Sequence, residues 1–282
     1  MSKITFVYPD FENLGIEYLM SVCRQKGYDT SFIYYRANDT YVGRKEKIVY
    51  DRIAGKIIET KPDFVAFSCV TDNYQYQLNC ARALKKQMPQ VKTIFGGIHP
   101  TAVPEKVIKE DCVDCLTIGE AEISLIQFLK TQDETKGIVF KDGDRLVGKF
   151  IEGELPNLND IPFPYKEPYL SCSKDSLNEY RIMSSRGCKY VCSYCFNSFI
   201  NKARGNCLIR QRTVDNVIYE LSWAKKYYPL NISYFLMILS LLIANGLLNS
   251  VKSIKKKSIF NSAVSLILIT LMNYPSKYCI VN

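Results

Sequence analysis

Hydrophobic and polar positions in the first 150 residues switch between a period of two or continuous apolar runs and a helical period. Lys3–Tyr8 reads as a strand and Gly15–Lys26 as a helix, with Thr30–Tyr35 and Lys45–Glu59 repeating the pair. Phe64–Cys69 is a buried strand, and Tyr74–Gln87 a helix ended before Pro89. Lys92–Phe95 is a strand closed by Gly96-Gly97, and Val103–Lys109 a short helix. Val113–Ile118 is the next strand and Glu122–Lys130 the next helix. Strands joined by helices at this spacing predict an α/β fold with a parallel, doubly wound sheet, whose ligands sit at the carboxyl ends of the strands.

Gly137–Phe150 predicts a hairpin with Asp142-Gly143 at its turn. Glu154–Tyr169 carries Pro156, Pro162, Pro164 and Pro168 and reads as an ordered linker. A strand at Tyr180–Ser184 opens a second unit, followed by a cysteine loop and a helix from Val214 to Tyr227. The expected domains are 1–135, a hairpin and linker at 136–178, a second domain at 179–231, and a tail at 232–282.

With 282 residues, 47% of them hydrophobic, the chain can build two cores. Eleven cysteines, an odd number, follow an N-terminus without a visible export signal. They point to a reducing cytoplasm and to metal or redox use rather than disulfides. The net charge of +9 is uneven, because five lysines and no acidic residue lie beyond Ile232. No basic helix or arginine-rich strip marks the body, which argues against nucleic-acid binding.

The sharpest chemical signal is Cys188-Lys189-Tyr190-Val191-Cys192-Ser193-Tyr194-Cys195. One loop can place three thiolates around one metal centre, and three ligands on a [4Fe-4S] cube leave one iron open. Structural zinc would want a fourth ligand. Cys207 is available only at a loose spacing, and the lone histidine, His99, is far away in sequence. The Cys112/Cys115 pair falls in part in a predicted strand, where packing is the simpler role.

This Cys-x-x-x-Cys-x-x-Cys pattern, with Tyr194 before the third cysteine and Arg186-Gly187 before the first, resembles that of the radical S-adenosylmethionine superfamily. The resemblance implies a [4Fe-4S] cluster on Cys188, Cys192 and Cys195. It also implies S-adenosylmethionine on the open iron, with Tyr194 beside it, and a 5′-deoxyadenosyl radical after reductive cleavage. The strand before the loop would be the first of a partial (β/α) barrel. Arg210, Arg212, Asn216 and Glu220 are similar to the segment entering its first helix. They read either as partners of acidic groups near the cluster or as a solvated helix start.

Other stretches resemble the flavodoxin-like (Rossmann-like) cobalamin-binding domain that precedes some of these barrels. They are Pro9-Asp10 with Asn13-Leu14-Gly15, Phe67-Ser68 with Thr71-Asp72-Asn73, Gly96-Gly97-Ile98-His99-Pro100-Thr101, and Gly119-Glu120-Ala121-Glu122. The cofactor contacts this implies are Ser68, Thr71, Gly96, Gly97, His99, Gly119 and Glu120. The Asp-x-His-x-x-Gly motif that supplies an axial histidine in cobalamin mutases and methionine synthase is missing. Cobalamin is therefore expected without that ligand, while His99 either touches the corrin or caps local backbone.

The tail changes character. Ile232–Ser250 has no charge, and Val264–Leu271 is again apolar, with Lys255-Lys256-Lys257 between them. Taken plainly this is a membrane-span candidate with a basic flank. Back-translation of Phe235–Ser250 with A/T-rich codons and a shifted frame can give a segment that resembles the one following the family's second barrel strand, so a frameshift near residue 234 is the preferred expectation. Only 87 residues follow Cys195, too few for a complete barrel. The expected function is that of a radical S-adenosylmethionine lineage performing methyl transfer or ring or C–C bond formation, with this chain truncated and inactive. No catalytic residue beyond the cluster ligands is visible. The expected partners are an unknown small-molecule substrate and a reductant such as flavodoxin or ferredoxin. The alternatives are a non-catalytic iron–sulfur and cobalamin module, or a membrane-tethered metal-binding protein.

Overall fold

The computed structural model describes residues 2–9, 11–35, 46–172 and 180–228. The chain divides into two compact units, Met1–Lys174 and Asp175–Asn282. The tail beyond Tyr228, and with it both the membrane-span and the frameshift readings, lies outside the described residues. Among the described residues no helix is long and apolar enough to cross a membrane.

In the first unit, β1 (Lys3–Pro9), α1 (Leu14–Gln25), β2 (Asp29–Tyr35), α2 (Glu46–Glu59), β3 (Phe64–Ser68), α3 (Thr71–Gln87) and β4 (Lys92–Gly96) alternate. Two short helices, α4 (Ile98–Ala102) and α5 (Pro104–Val107), precede β5 (Cys115–Thr117) and α6 (Ser124–Thr131). The hairpin β6 (Ile138–Asp142) and β7 (Arg145–Gly148) and the helix α7 (Glu167–Cys172) complete the unit. The sheet order is β2-β1-β3-β4-β5-β6-β7. Pairings from β2 through β5 are parallel, and the hairpin joins β5 antiparallel.

Both faces of the sheet are covered, which is why its strands read as continuous apolar runs. Val7, Val65, Phe67, Phe95 and Leu116 pack with Ile53, Leu78 and Leu84 of α2 and α3. Ile4, Phe6, Phe64, Ala66 and Ile94 pack on the other face with Ile16 and Met20 of α1 and Leu125 and Phe128 of α6. Phe67 and Phe95, directly opposite in the β3–β4 register, stack with ring centroids 4.9 Å apart. Each such buried ring contributes about 1.5–3 kcal/mol over an exposed one.

Several expectations are corrected in detail. The short helix expected over Val103–Lys109 is two pieces. Pro104 has no N–H to continue α4, and instead starts α5 at a position where that donor is not needed. Strand β5 is three residues long, shorter than Val113–Ile118. Asp142 pairs with Arg145, so the turn residues are Gly143-Asp144. The proline-rich segment does more than link. The Ser21 hydroxyl donates to the Phe163 carbonyl at 2.5 Å and the Tyr165 N–H to the Glu17 carbonyl at 3.2 Å. The segment is a strap along α1 that ends in α7.

The second unit contains β8 (Ser185–Arg186), α8 (Phe196–Arg204), β9 (Arg210–Gln211) and α9 (Val214–Tyr227). The strand expected at Tyr180–Ser184 is reduced to a single bridge at Ile182, and the ladder proper is the antiparallel β8–β9 pair of two residues. A strand's length is set by its partner, and β9 offers only Arg210 and Gln211. Helix α8 was not foreseen. It follows directly from Cys195, its N-cap, and ends at Gly205 in the left-handed region.

Candidate functional site

Strands β1 to β5 run parallel, so the loops after β1, β3, β4 and β5 emerge at one edge. The chain winds from β1 out to β2 and then returns to β3 on the other side of β1. The crevice between β1 and β3 is therefore the topological switch point, where ligands of such sheets bind. Asn13 caps α1, its Oδ1 accepting from the Ile16 N–H at 3.1 Å, while its Nδ2 reaches Ser68 Oγ at 3.4 Å across the crevice. The buried Gln77 amide donates to the carbonyls of Val7 and Ser68, both at 3.3 Å, and ties α3 to the ends of the same two strands.

The β3 and β4 loops are joined by backbone. Cys69 N–H donates to the Gly96 carbonyl at 2.8 Å and His99 N–H to the Cys69 carbonyl at 3.0 Å. Gly97 has φ +94°, and a Cβ there would stand 2.9 Å from the Cys69 carbonyl oxygen. A Cβ on Gly96 would collide with the Thr117 side chain. Both glycines are thus demanded by the protein's own packing, whatever binds above them. His99 is held by a Thr71 hydroxyl–Nδ1 hydrogen bond of 3.2 Å and lies against the Tyr74 ring at 4.1 Å. Burial lowers its pKa, which favours the neutral imidazole.

Thr101 Oγ1 donates to the Gly97 carbonyl at 2.8 Å and accepts from the Gly119 N–H at 3.0 Å, which brings the β5 loop to the same edge. Gly119 has φ +76° and is overlain by Glu152, whose Oε1 would be 2.6 Å from an added Cβ. Ser68, Thr71, Gly96, Gly97, His99, Gly119 and Glu120 therefore all belong to this one edge. Two exposed apolar side chains, Phe11 after β1 and Ile98 after β4, lie there too. Neither was among the expected cofactor contacts, although Ile98 stands inside the Gly96–Thr101 stretch and Phe11 follows Pro9-Asp10.

The second unit carries the three cysteines on the loop between β8 and α8. The Asn201 amide donates to the Cys188 carbonyl at 2.6 Å, and Ser198 Oγ to the Cys192 carbonyl at 2.7 Å. Cys192 is exposed, and Cys188 and Cys195 are half-buried. The structure does not gather the three thiols. Among the described residues no group of three or more His, Cys, Asp or Glu side chains stands close enough to hold a metal ion. Tyr194 points into solvent, 91% exposed.

The Arg212 side chain is 5% exposed and pairs with the fully buried Glu220, which also accepts from Tyr180 Oη at 2.9 Å. It further donates to the Met183 carbonyl at 3.1 Å and to Asn216 Oδ1 at 2.6 Å. Neither a solvated helix start nor a free partner for acidic groups describes it. Cys112 and Cys115 are buried in the cores on opposite faces of the sheet, and burial pushes the Cys112 thiol up to about 11. That arrangement is unsuited to a Cys-x-x-Cys redox pair.

The B12 binding domain model matches residues 4–129, which span β1 through most of α6. Residues 4–129 are a B12-binding domain. The chain is 28% identical over 220 residues to an uncharacterized methyltransferase, PH0819, of Pyrococcus horikoshii, covering 74% of this chain and 45% of that protein. It is 31% identical over 157 residues to the cobalamin-dependent radical SAM methyltransferase TokK of Streptomyces tokunonensis, covering 51% of this chain and 23% of that one. The radical S-adenosylmethionine methyltransferase TsrM of Kitasatospora setae superposes with a TM-score of 0.57 at 11% identity, over 80% of this chain and 46% of TsrM. That last likeness speaks for the fold alone. The chain spans less than half the length of these proteins. Its relatives thus include a cobalamin-dependent radical SAM methyltransferase, and the B12-binding match lies in the first part of this chain.

The edge of the B12-binding domain suits a corrinoid. It is flanked by small residues and hydroxyls, and presents Phe11 and Ile98 as apolar contacts for a broad, flat ligand. No histidine lies in the β1–α1 loop, so an axial imidazole from that position is excluded by sequence.

Proposed function

We propose that this chain binds cobalamin at the edge formed by the loops after β1, β3, β4 and β5. Cys188, Cys192 and Cys195 hold a [4Fe-4S] cluster whose open iron takes S-adenosylmethionine, with Tyr194 beside it. The observation that carries the reading is the convergence of Asn13, Ser68, Gly97 and His99 at the β1/β3 switch point inside the matched domain. The donor set on the β8–α8 loop, three thiols and no competing imidazole, is the chemistry a cluster with one open iron requires. When bound, the two groups would supply methyl-carrying cobalt and one-electron reduction of the sulfonium. The chain's own residues would hold the corrin edge, fix the loop through Asn201 and Ser198, and present the open iron. The class of reaction is radical-based methyl transfer or ring or C–C bond formation on a small molecule. The electron would come from a flavodoxin or ferredoxin in the cytoplasm. The segment 232–282 adds no acidic group to hold S-adenosylmethionine, so the chain by itself is expected to bind cofactors without turnover.

Anaerobic reconstitution tests the cluster. About four irons and four sulfides per chain are expected. Cys188→Ala, Cys192→Ala or Cys195→Ala should each abolish uptake, and Cys112→Ala should not. Stoichiometric zinc without iron uptake would overturn the cluster assignment. Hydroxocobalamin titration of the purified chain tests the other half. For turnover, 5′-deoxyadenosine is measured after dithionite reduction, beside a version with the alternative reading frame restored after residue 234. Equal rates from both would defeat the expectation of inactivity.

A further inference from the structure

The matched domain ends at residue 129, yet the loop at its ligand edge is fastened by a residue far outside it. Lys166, on the proline-rich strap, is only 2% exposed. Its ammonium pairs with Glu12, in the turn between β1 and α1, and with Glu17 of α1 at 2.6 Å; both carboxylates are 5% exposed. Burying two carboxylates in apolar surroundings is costly, and the lysine between them offsets that cost only while the strap is seated. The neighbouring residue, Asn13, caps α1 and reaches Ser68 across the β1/β3 crevice. Further along α1 the strap is held independently, by the Ser21–Phe163 hydrogen bond and by Arg24 stacked 4.2 Å over the Tyr165 ring.

We infer that Lys166 is a positioning residue for the corrinoid edge: through Glu12 it fixes the β1–α1 turn in the shape that faces the ligand. This rests on the cobalamin reading above. The unit that binds cobalamin then extends through the strap to α7 rather than stopping at the end of the matched domain. With Lys166 absent, Glu12 turns outward to regain water, and the turn carrying Asn13 loosens. A ligand must then reorder that turn, which weakens binding without removing any group that touches it.

The test uses the full chain, with hydroxocobalamin as the probe and its absorption as the signal. Lys166→Met and Glu12→Gln should weaken binding by about tenfold, while Lys166→Arg keeps affinity near wild type. Glu12→Gln leaves the Lys166–Glu17 pair neutral overall, so it serves if Lys166→Met does not fold. Ser21→Ala loosens the strap away from the turn. It should lower the melting temperature and leave affinity within about twofold. Hydrogen exchange of the α1 N-terminal amides should quicken in Glu12→Gln and not in Ser21→Ala, with or without cobalamin. Wild-type affinity in both Glu12→Gln and Lys166→Met overturns the inference. So does a loss in Ser21→Ala equal to theirs, since general destabilisation would then suffice. If the wild-type chain does not bind hydroxocobalamin, the cobalamin reading itself fails; the exchange result then decides alone whether Lys166 orders the turn.

Discussion

Single residues in this chain differ in reactivity because the sheet decides which are buried. Cys23, Cys69, Cys80, Cys112 and Cys115 are buried, and desolvation raises every one of their thiol pKa values, Cys23 to about 12. Cys192 and Cys207 are exposed. Iodoacetamide should therefore label Cys192 and Cys207 in the native metal-free chain and reach the five buried thiols only on unfolding, as read by mass spectrometry. Early labelling of Cys69 or Cys115 would contradict the packing. His99 supplies a pH signature. Burial holds its pKa below 6.5, so as pH falls the unfolded chain takes up the proton first. Its contribution is complete above 6.5 and is lost as pH falls from there towards the folded pKa. Urea midpoints measured between about pH 7.5 and about pH 5.5 should fall, and less so in His99→Gln. The lone histidine was legible as a candidate from the sequence. Its partners, Thr71 and Tyr74, were not, because they come from the first turn of α3, distant in sequence.

At the scale of elements, the junctions matter more than the interiors. Gly97 ends β4 in a left-handed conformation against the backbone of Cys69. Gly97→Ala should cost about 1–3 kcal/mol in a denaturant melt, since both strain and contact oppose the methyl group. In the second unit, Arg212 and Glu220 bind α9 to the segment before β8, with Tyr180 as the third member. Glu220→Ala leaves a buried guanidinium without its counterion and should destabilise that unit by about 3–5 kcal/mol. A loss below about 1 kcal/mol would mean that solvent reaches the pair. Helix α9 was readable as Val214–Tyr227 because Thr213 caps it and apolar positions recur at helical spacing. Helix α8 was missed although Phe196, Phe199, Ile200 and Ala203 stand at helical spacing, because the cysteine motif drew the segment into a loop.

For the molecule as a whole, the first unit closes both of its cores within residues 4–165. A fragment 1–174 should fold cooperatively on its own, checked by circular dichroism and a single urea transition. A fragment ending at 135 loses β6 and β7, which bury Ile138 and Val139, and leaves Glu12 and Glu17 without Lys166. It should be markedly less stable or aggregate through the uncovered β5 edge. Equal midpoints for the two fragments would show that the hairpin and strap are ornaments.

What the sequence determined by itself was local and periodic. The strands and helices from Lys3 to Lys130 follow from apolar spacing, and the three cysteines and the lone histidine could be named because composition is visible without a fold. The side of the sheet on which each loop emerges also followed, since parallel strands joined by helices leave their carboxyl ends together. What only the tertiary structure decided involves partners distant in the chain. Lys166 reads as one more polar residue in a proline-rich linker until the strap lays it between Glu12 and Glu17. Arg212 reads either as a partner of acidic groups near the cluster or as a solvated helix start until Glu220 and Tyr180 close around it. Gly96 and Gly97 read as glycines that let a cofactor approach, and only the fold shows that Thr117 and Cys69 stand against them as well. In each case the deciding quantity is desolvation or close contact, which depends on what lies beside a residue in space, and residues 154 positions apart carry no periodicity that could announce it.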